Sequence, residues 1–197
     1  MLDIAGFDRC VGCRRPGSAL CRECVGEIPP CAALDVPPPL ARLSAAWHYE
    51  GAARSLVLGL KLQGQRGYAE ALADGMCRSA WRDGISGEAV TWVPGTRADV
   101  RRRGYDHAEV IARAVAARLG LPAKPLLRLK RAKADQTTLD AAQRRRNLKG
   151  AFVARPVHGR VVLVDDVMTT GTTICTCASA LRRAGARAVE GLVGCRA

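Results

Sequence analysis

Aromatic residues are scarce: three Trp, three Tyr and two Phe amount to 4% of the 197 residues. A core with so few rings must be filled by Ala, Val and Leu, the usual filling of helices laid on a parallel sheet. The shortage also counts against a nucleic-acid surface that stacks successive bases. No run of about 18 apolar residues occurs, which argues against a transmembrane helix. The first ten residues carry neither the basic nor the apolar region of a secretory signal. A cytoplasmic protein with no membrane span is the expectation. Histidine is rare, and His48, His107 and His158 form no cluster; each reads as an ordinary surface or turn residue. Acidic residues number 18 against 31 Lys and Arg, a formal charge of +13. That excess suits a polyanionic partner, either nucleic acid or a heavily phosphorylated small molecule, and it also serves solubility.

Cysteine, by contrast, is plentiful. Five of the nine fall within the first 31 residues. Cys10-x2-Cys13 and Cys21-x2-Cys24 form two knuckles, and four thiolates satisfy tetrahedral Zn²⁺. Pro16 and Gly17 supply a tight turn between them. Disulfides are disfavoured in a reducing compartment, and redox-active cysteines usually come as a single pair. Four thiolates close the coordination shell, so the zinc is expected to be structural. About thirty residues cannot bury a sufficient core, and the metal would supply the folding energy. Cys31 reads as a spectator, and Cys77, Cys175, Cys177 and Cys195 as small buried hydrophobes. Pro29-Pro30 and Pro37-Pro38-Pro39 bracket a stiff linker. The expected organisation is a zinc knuckle over 1–32, a Pro-rich linker over 33–44 and an α/β domain over 45–197.

Within that domain strand-like and helix-like segments alternate. Strands are predicted at Ala45–Tyr49, Ala89–Val93, Ala151–Ala154, Val161–Val164 and Ala188–Cys195. Helices are predicted at Gly51–Leu62, Tyr68–Trp81, Asp106–Leu119 and Thr172–Ala184. Asp106 can cap its helix, with Glu109 completing a capping-box-like pair and Gly120 and Pro122 ending it. Trp47, Trp81 and Trp92 fall on apolar patterns and are expected in the core. The alternation implies a parallel-rich sheet flanked by helices on both faces.

The most informative stretch is 161–173, Val-Val-Leu-Val-Asp-Asp-Val-Met-Thr-Thr-Gly-Thr-Thr. A buried strand leads into Asp165 and Asp166, then into a hydroxyl- and glycine-rich turn, then into a helix. Backbone N–H groups and Thr hydroxyls at a helix N-terminus suit a phosphate, and adjacent carboxylates suit neighbouring sugar hydroxyls. Open α/β sheets place ligands at this edge. Gly171 is followed by Thr172 rather than Lys, so this is not a Walker A loop.

The segment resembles the phosphoribosyl-pyrophosphate (PRPP) signature of type I phosphoribosyltransferases. Further stretches are similar to the ComF family: Tyr49-x-Gly51, Leu60-Lys61 with Gly64, Val93-Pro94, Arg103-Gly104-Tyr105, Arg128, Gln136-Thr137, Arg145-x-Asn147 and Ala151-Phe152. The preceding zinc knuckle belongs to the same pattern. Two places depart from it. Val93-Pro94-Gly95-Thr96 stands for Val-Pro-Val-Pro, and Arg103-Gly104-Tyr105-Asp106-His107 stands for Arg-Gly-Phe-Asn-Gln. The second changes the hydrogen bonding beside the expected pyrophosphate loop.

The resemblance implies a type I phosphoribosyltransferase-like fold, a PRPP site with Mg²⁺ and a role in competence and DNA uptake. It implies that Asp165 and Asp166 hold the ribose hydroxyls and stabilise a cationic transition state as the catalytic pair. Thr169, Thr170, Gly171, Thr172 and Thr173 would wrap the 5′-phosphate. Arg101 and Arg103 are the arginines expected at the pyrophosphate, as planar donor forks. The basic segment 128–149 reads as a mobile lid. Its Lys130, Arg131, Lys133, Arg144, Arg145 and Arg146 suit either leaving pyrophosphate or a DNA backbone. Two broad functions remain open, beside a third in which the chain is a small zinc-ribbon regulator whose larger domain only senses a metabolite. One is transfer of a phosphoribosyl group to an acceptor. The other is a non-catalytic module binding PRPP or single-stranded DNA beside DNA-uptake proteins.

Overall fold

Val161-Val162-Leu163-Val164 forms the middle of β5 (Arg160–Met168), and all four residues are fully buried, as an unbroken apolar run requires. The structure, a computed structural model, describes residues 9–62, 67–130 and 150–197. In it β5 pairs in parallel with β2 (Ala89–Trp92) on one side and β6 (Ala188–Arg196) on the other. β6 pairs in parallel with β1 (Arg42–His48), so the sheet runs β1-β6-β5-β2. Single bridges extend both edges, Val90 to Ala123 in parallel and Pro30 to Trp47 antiparallel.

Alternation along β5 sorts the core into two layers. Val162 and Val164 pack with Leu192 and Trp47 against α2 (Gly51–Leu62), α3 (Tyr68–Arg82) and α5 (His107–Leu119). Val161 and Leu163 pack with Val189 and Val193 on the opposite face. There α6 (Thr172–Arg183) and the antiparallel hairpin of β3 (Leu127–Leu129) and β4 (Phe152–Ala154) cover them. Two further short helices, α1 (Arg22–Glu27) and α4 (Arg97–Arg103), complete the described chain. Among the described residues no helix is long and apolar enough to cross a membrane.

The predicted strands and helices are present, with shifted ends. β1 starts at Arg42, three residues ahead of expectation. Asp106 caps α5 as predicted, its Oδ1 accepting the Ala108 N–H at 3.1 Å, whereas Glu109 pairs with Arg113 instead of closing a capping box. Trp47 and Trp92 are buried, but Trp81 is 65% exposed, a correction to its expected core position. It sits in the last turn of α3, next to the end of the helix at Arg82, and half of its neighbouring residues face solvent. Cys77, Cys177 and Cys195 are buried as expected, while Cys175 is half-buried. Gly64, Gln136, Thr137, Asn147 and the lid residues Arg131, Lys133, Arg144, Arg145 and Arg146 lie outside the described residues.

One buried charge pins the edge of the sheet away from the Asp pair. Glu190 is 1% exposed and accepts from Arg160 Nη1 at 3.0 Å and from the Ser86 N–H at 2.7 Å. Arg160→Met leaves that carboxylate with the Ser86 amide and a distant Arg42 at 4.0 Å. A loss of about 3 kcal/mol is expected in denaturant unfolding, the low end for breaking a buried pair because Arg160 is partly exposed. A midpoint unchanged from the parent would contradict it.

Candidate functional site

β5 carries the chain to the carboxyl edge of the sheet, and a short turn returns it into α6. Gly171 occupies the turn at φ +74° and acts as the N-cap of α6, a conformation that only glycine adopts without strain. The Cys175 N–H makes the first helical bond, to the Gly171 carbonyl at 3.0 Å. The hydroxyls of Thr170 and Thr172 lie 2.9 Å apart, and the Thr172 N–H donates weakly to Thr170 Oγ1 at 3.4 Å. Arg196 braces the turn from β6 by donating to the Met168 and Thr169 carbonyls.

The first amides of a helix have no intrahelical acceptor. Here they head a pocket of about 50 Å³ lined by Asp165, Val167, Thr169, Thr170, Thr172 and Thr173. At roughly 10–15 Å³ for each water-sized occupant, that admits about three to five oxygens, enough for a phosphoryl group. All five predicted loop residues are therefore brought together. A larger cleft of about 440 Å³ adjoins the same turn, between Ala33–Pro37 and Met168–Gly171. Its size is that of a small-molecule site.

The two carboxylates diverge. Asp165 is half-buried and lines the small pocket, its Oδ1 accepting the Asp166 N–H at 2.9 Å. Burial and the neighbouring Asp166 charge push its carboxyl well above the usual range. Asp166 is 3% exposed. Its Oδ2 lies 2.7 Å from Lys61 Nζ and 2.8 Å from His107 Nε2, and its Oδ1 accepts the Val167 N–H at 2.6 Å. Burial works against ionisation of Asp166, but the adjacent His107 ring and the Lys61 charge outweigh it and hold the carboxyl below its ordinary value. A carboxylate offers about four lone-pair sites. By that count Val167 takes one of the two on Asp166 Oδ1 and leaves one there, Lys61 and His107 flank Oδ2 as charge and ring neighbours without hydrogen-bond alignment, and Asp165 keeps three.

The loop after β2 approaches the same edge. Thr96 caps α4, accepting the Asp99 N–H at 3.1 Å, and the Gly95 N–H donates to Asp106 Oδ2 at 2.9 Å. Arg103 places Nη1 3.0 Å from His107 Nδ1 and Nη2 3.5 Å from Asp99. Arg101 is exposed and makes no hydrogen bond or ion pair among the described residues. Of the two predicted arginines, only Arg103 reaches the Asp pair's surroundings. The Tyr105 hydroxyl donates to the Leu60 carbonyl, which brings the end of α2, and with it Lys61, beside α5.

His107 and Lys61 are the residues that sequence reasoning missed. His48 and His158 are exposed as expected, but the His107 side chain is only 12% exposed and touches Asp166, a correction to its expected surface role. Its one signal was its place two residues after the Arg103-Gly104-Tyr105 motif. Lys61 stood in the Leu60-Lys61 pair, with nothing in the spacing to link it to position 166.

At the other end of the chain, the thiols of Cys10, Cys13, Cys21 and Cys24 lie within 4.8 Å of one another, with 3.6 Å between Cys13 and Cys21. A tetrahedral site with Zn–S bonds of about 2.3 Å implies sulfur separations of about 3.8 Å. The Cys21 N–H donates to Cys10 Sγ at 3.3 Å. Burial opposes ionisation of Cys10, but amides of Cys21, Cys13 and Gly12 bring it down to about 6. Burial and the other three thiols push Cys24 up to about 12. A Cβ on Gly12 would stand 2.7 Å from Cys24 Sγ, so the thiols crowd the backbone closely. This set is suited to a metal ion. Cys10, Leu20 and Cys24 also pack into the core layer that holds Trp47 and Leu56. Cys31 stands apart, its N–H bonded to the Ala46 carbonyl at 3.1 Å.

Comparison with known proteins adds three findings. Residues 106–196 match the family described as Phosphoribosyl transferase domain. The chain is 32% identical to DNA utilization protein YhgH of Salmonella typhi and 31% identical to that of Escherichia coli K12, with 95% of this chain and 88% of each relative covered. It is 36% identical to Competence protein F of Haemophilus influenzae, over 52% of this chain and 48% of that one. Among solved structures, glutamine PRPP amidotransferase from B. subtilis is 23% identical with a TM-score of 0.47, covering 66% of this chain and 27% of that one. The chain belongs to the ComF family, the group of competence and DNA utilization proteins built on a phosphoribosyltransferase-type domain.

Proposed function

We propose that this protein binds PRPP together with Mg²⁺ and transfers its phosphoribosyl group to an acceptor bearing a nitrogen nucleophile, in the service of DNA uptake. The observation that carries the reading is the pocket of about 50 Å³ at the head of α6, lined by Asp165 and the threonine turn. Backbone amides and the hydroxyls of Thr169, Thr170, Thr172 and Thr173 take the 5′-phosphate, and Gly171 allows the close approach. Asp165, with three free lone-pair sites, takes most of the ribose contact, and Asp166 accepts through its remaining Oδ1 site. Both carboxylates oppose the positive charge that develops on the sugar as pyrophosphate leaves. Mg²⁺ would be held mainly by the diphosphate and would neutralise it as it leaves, with Asp165, which lines the pocket, as the carboxylate that would help to hold it. Arg103 is the arginine that meets the diphosphate, and Arg101 would have to fold in from solvent to join it. The cleft beside Ala33–Pro37 has the size to admit the acceptor.

The knuckle is proposed to hold structural Zn²⁺ through Cys10, Cys13, Cys21 and Cys24. It forms residues 1–32 of a cytoplasmic protein, joined by a linker over 33–44 to the phosphoribosyltransferase-like domain over 45–197. Titration calorimetry with PRPP and MgCl₂ tests the core of this reading. Saturable binding that pyrophosphate and ribose 5-phosphate both compete away is expected; heats indistinguishable from dilution would contradict it. Release of pyrophosphate in the presence of a panel of nitrogenous bases separates transfer from binding alone.

A second reading is favoured by the +13 charge and by the names of the relatives. In it the protein is a non-catalytic module that engages single-stranded DNA and DNA-uptake proteins. Its affinity for an oligonucleotide should then fall steeply with salt, by roughly 0.7 log units per log unit of salt for each phosphate neutralised. A flat response in gel-shift titrations contradicts phosphate contacts.

A further inference from the structure

A continuous line of polar side chains joins the two loops of the site. Thr96 and Asp99 hold the start of α4, and Arg103 leaves its last turn toward α5. Arg103 Nη1 lies 3.0 Å from His107 Nδ1, and His107 Nε2 lies 2.8 Å from Asp166 Oδ2. A guanidinium only donates, so Nδ1 must accept from it. The ring proton of the neutral imidazole therefore sits on Nε2, on the side that stands 2.8 Å from Asp166 Oδ2. The opposite tautomer would set two donors head to head at Arg103 and two acceptors at Asp166.

We propose that His107 is a positioning residue of the PRPP site, locked by Arg103 as the Nε2–H tautomer and aiming the Asp166 carboxylate. This rests on the sugar-phosphate reading of the loop. Three features support it. The other partner of Asp166 Oδ2 is Lys61, an ammonium on a long flexible stem that attracts without directing. His107 instead stands at the first position of α5, and its capping residue Asp106 is tied to both Ala108 and Gly95. It thus supplies direction, while Lys61 supplies the balancing charge. Finally, Asp166 Oδ1 accepts only the Val167 N–H and has one further acceptor site. Where that site faces depends on how Oδ2 is held. Loss of the imidazole leaves the carboxylate free to follow Lys61 and turns that Oδ1 lone pair away from a sugar hydroxyl.

The lock and the positioning role are tested separately. Long-range ¹H–¹⁵N spectra of the full chain at pH 8, with only three histidines to assign, should show His107 protonated on Nε2 and bare on Nδ1. Arg103→Met should let the two tautomers mix. A wild-type spectrum with the proton on Nδ1 overturns the lock. For the positioning role, PRPP affinity is compared in His107→Gln and His107→Leu by calorimetry, with thermal melting as the check on folding. Glutamine keeps an N–H donor at about the reach of Nε2 and should bind PRPP within roughly threefold of the parent. Leucine removes the donor and should weaken binding roughly tenfold or more, as loss of a hydrogen bond to a charged group implies. Equal affinities for the two variants overturn the positioning role while the sugar-phosphate reading stands. Absence of PRPP binding in the wild type overturns the sugar-phosphate reading and the positioning role together, and the spectra still decide the lock.

Discussion

Asp165→Asn loses PRPP binding by roughly a hundredfold or more and leaves the protein folded, even slightly stabilised. The binding loss follows from the lone-pair count. Asp165 holds three unused acceptor sites against the pocket, and hydrogen bonds to a charged group contribute about 1.5–3 kcal/mol each, so two of them correspond to roughly a hundredfold at least. The stability gain follows from the raised carboxyl pKa in the folded state. A raised acid binds its proton more tightly when folded, so its ionisation at neutral pH opposes folding. That cost is present above the unfolded value of about 3.9 and disappears as pH falls below it. Asparagine removes the charge and with it the cost.

Asp166→Asn has the opposite signature. Its carboxyl is lowered in the folded state, so it contributes stability above the unfolded value, lost as pH falls through the folded one. Replacing it leaves Lys61 and His107 facing an amide and costs about 2–3 kcal/mol at pH 7, discounted from a fully buried pair because Lys61 is partly exposed. The deficit against wild type should shrink in acid, where Asp166 is itself protonated. Denaturant midpoints for both variants between pH 3 and pH 7 read this out. Parallel curves would contradict the divergence of the doublet.

Removal of metal by a chelator, or Cys13→Ser, has the second large expected effect. Structural Zn²⁺ in small thiolate sites binds with an apparent about 10–16 kcal/mol, comparable to the whole stability of a domain. The knuckle has little core of its own, and its Cys10, Leu20 and Cys24 are part of the layer under α2 and α3. Metal loss should therefore lower Tm by roughly 10 °C or more, at about 2–4 °C per kcal/mol for a chain of this size. The disturbance should be lopsided. The β5–α6 loop rests on the opposite layer, with Leu163, Ile174 and Leu181, which contains none of the four knuckle cysteines. Hydrogen exchange should speed up across residues 10–28 and α2 before it does at 161–183. Native mass spectrometry should find one zinc per chain. A metal-free protein with the same Tm would remove the assignment.

The sheet and its main helices were legible because periodicity encodes burial. Val161–Val164 announced a strand covered on both faces, and Thr172 to Arg183 announced an amphipathic helix. What escaped had no such periodicity. α4 buries nothing and consists largely of arginine, so no apolar stripe betrayed it. Trp81 lies on the apolar rhythm of α3, yet the last turn runs past the core, and rhythm alone cannot say where the neighbouring layer ends. In the site, the order Asp-Asp-x-x-Thr-Thr-Gly pointed to the proposed phosphate cradle because one strand and one turn build it from adjacent residues. Asp166 meets His107 and Lys61 from 59 and 105 positions away through the meeting of α2, α5 and β5, and no local pattern carries that information.

The most direct test of the threonine turn as a phosphate cradle is a crystal structure of the full chain soaked with PRPP and Mg²⁺. The 5′-phosphate is predicted among Thr169, Thr170, Thr172 and Thr173 at the head of α6, with a ribose hydroxyl on Asp165. Density for the ligand anywhere else, with that small pocket holding only water, would contradict the account.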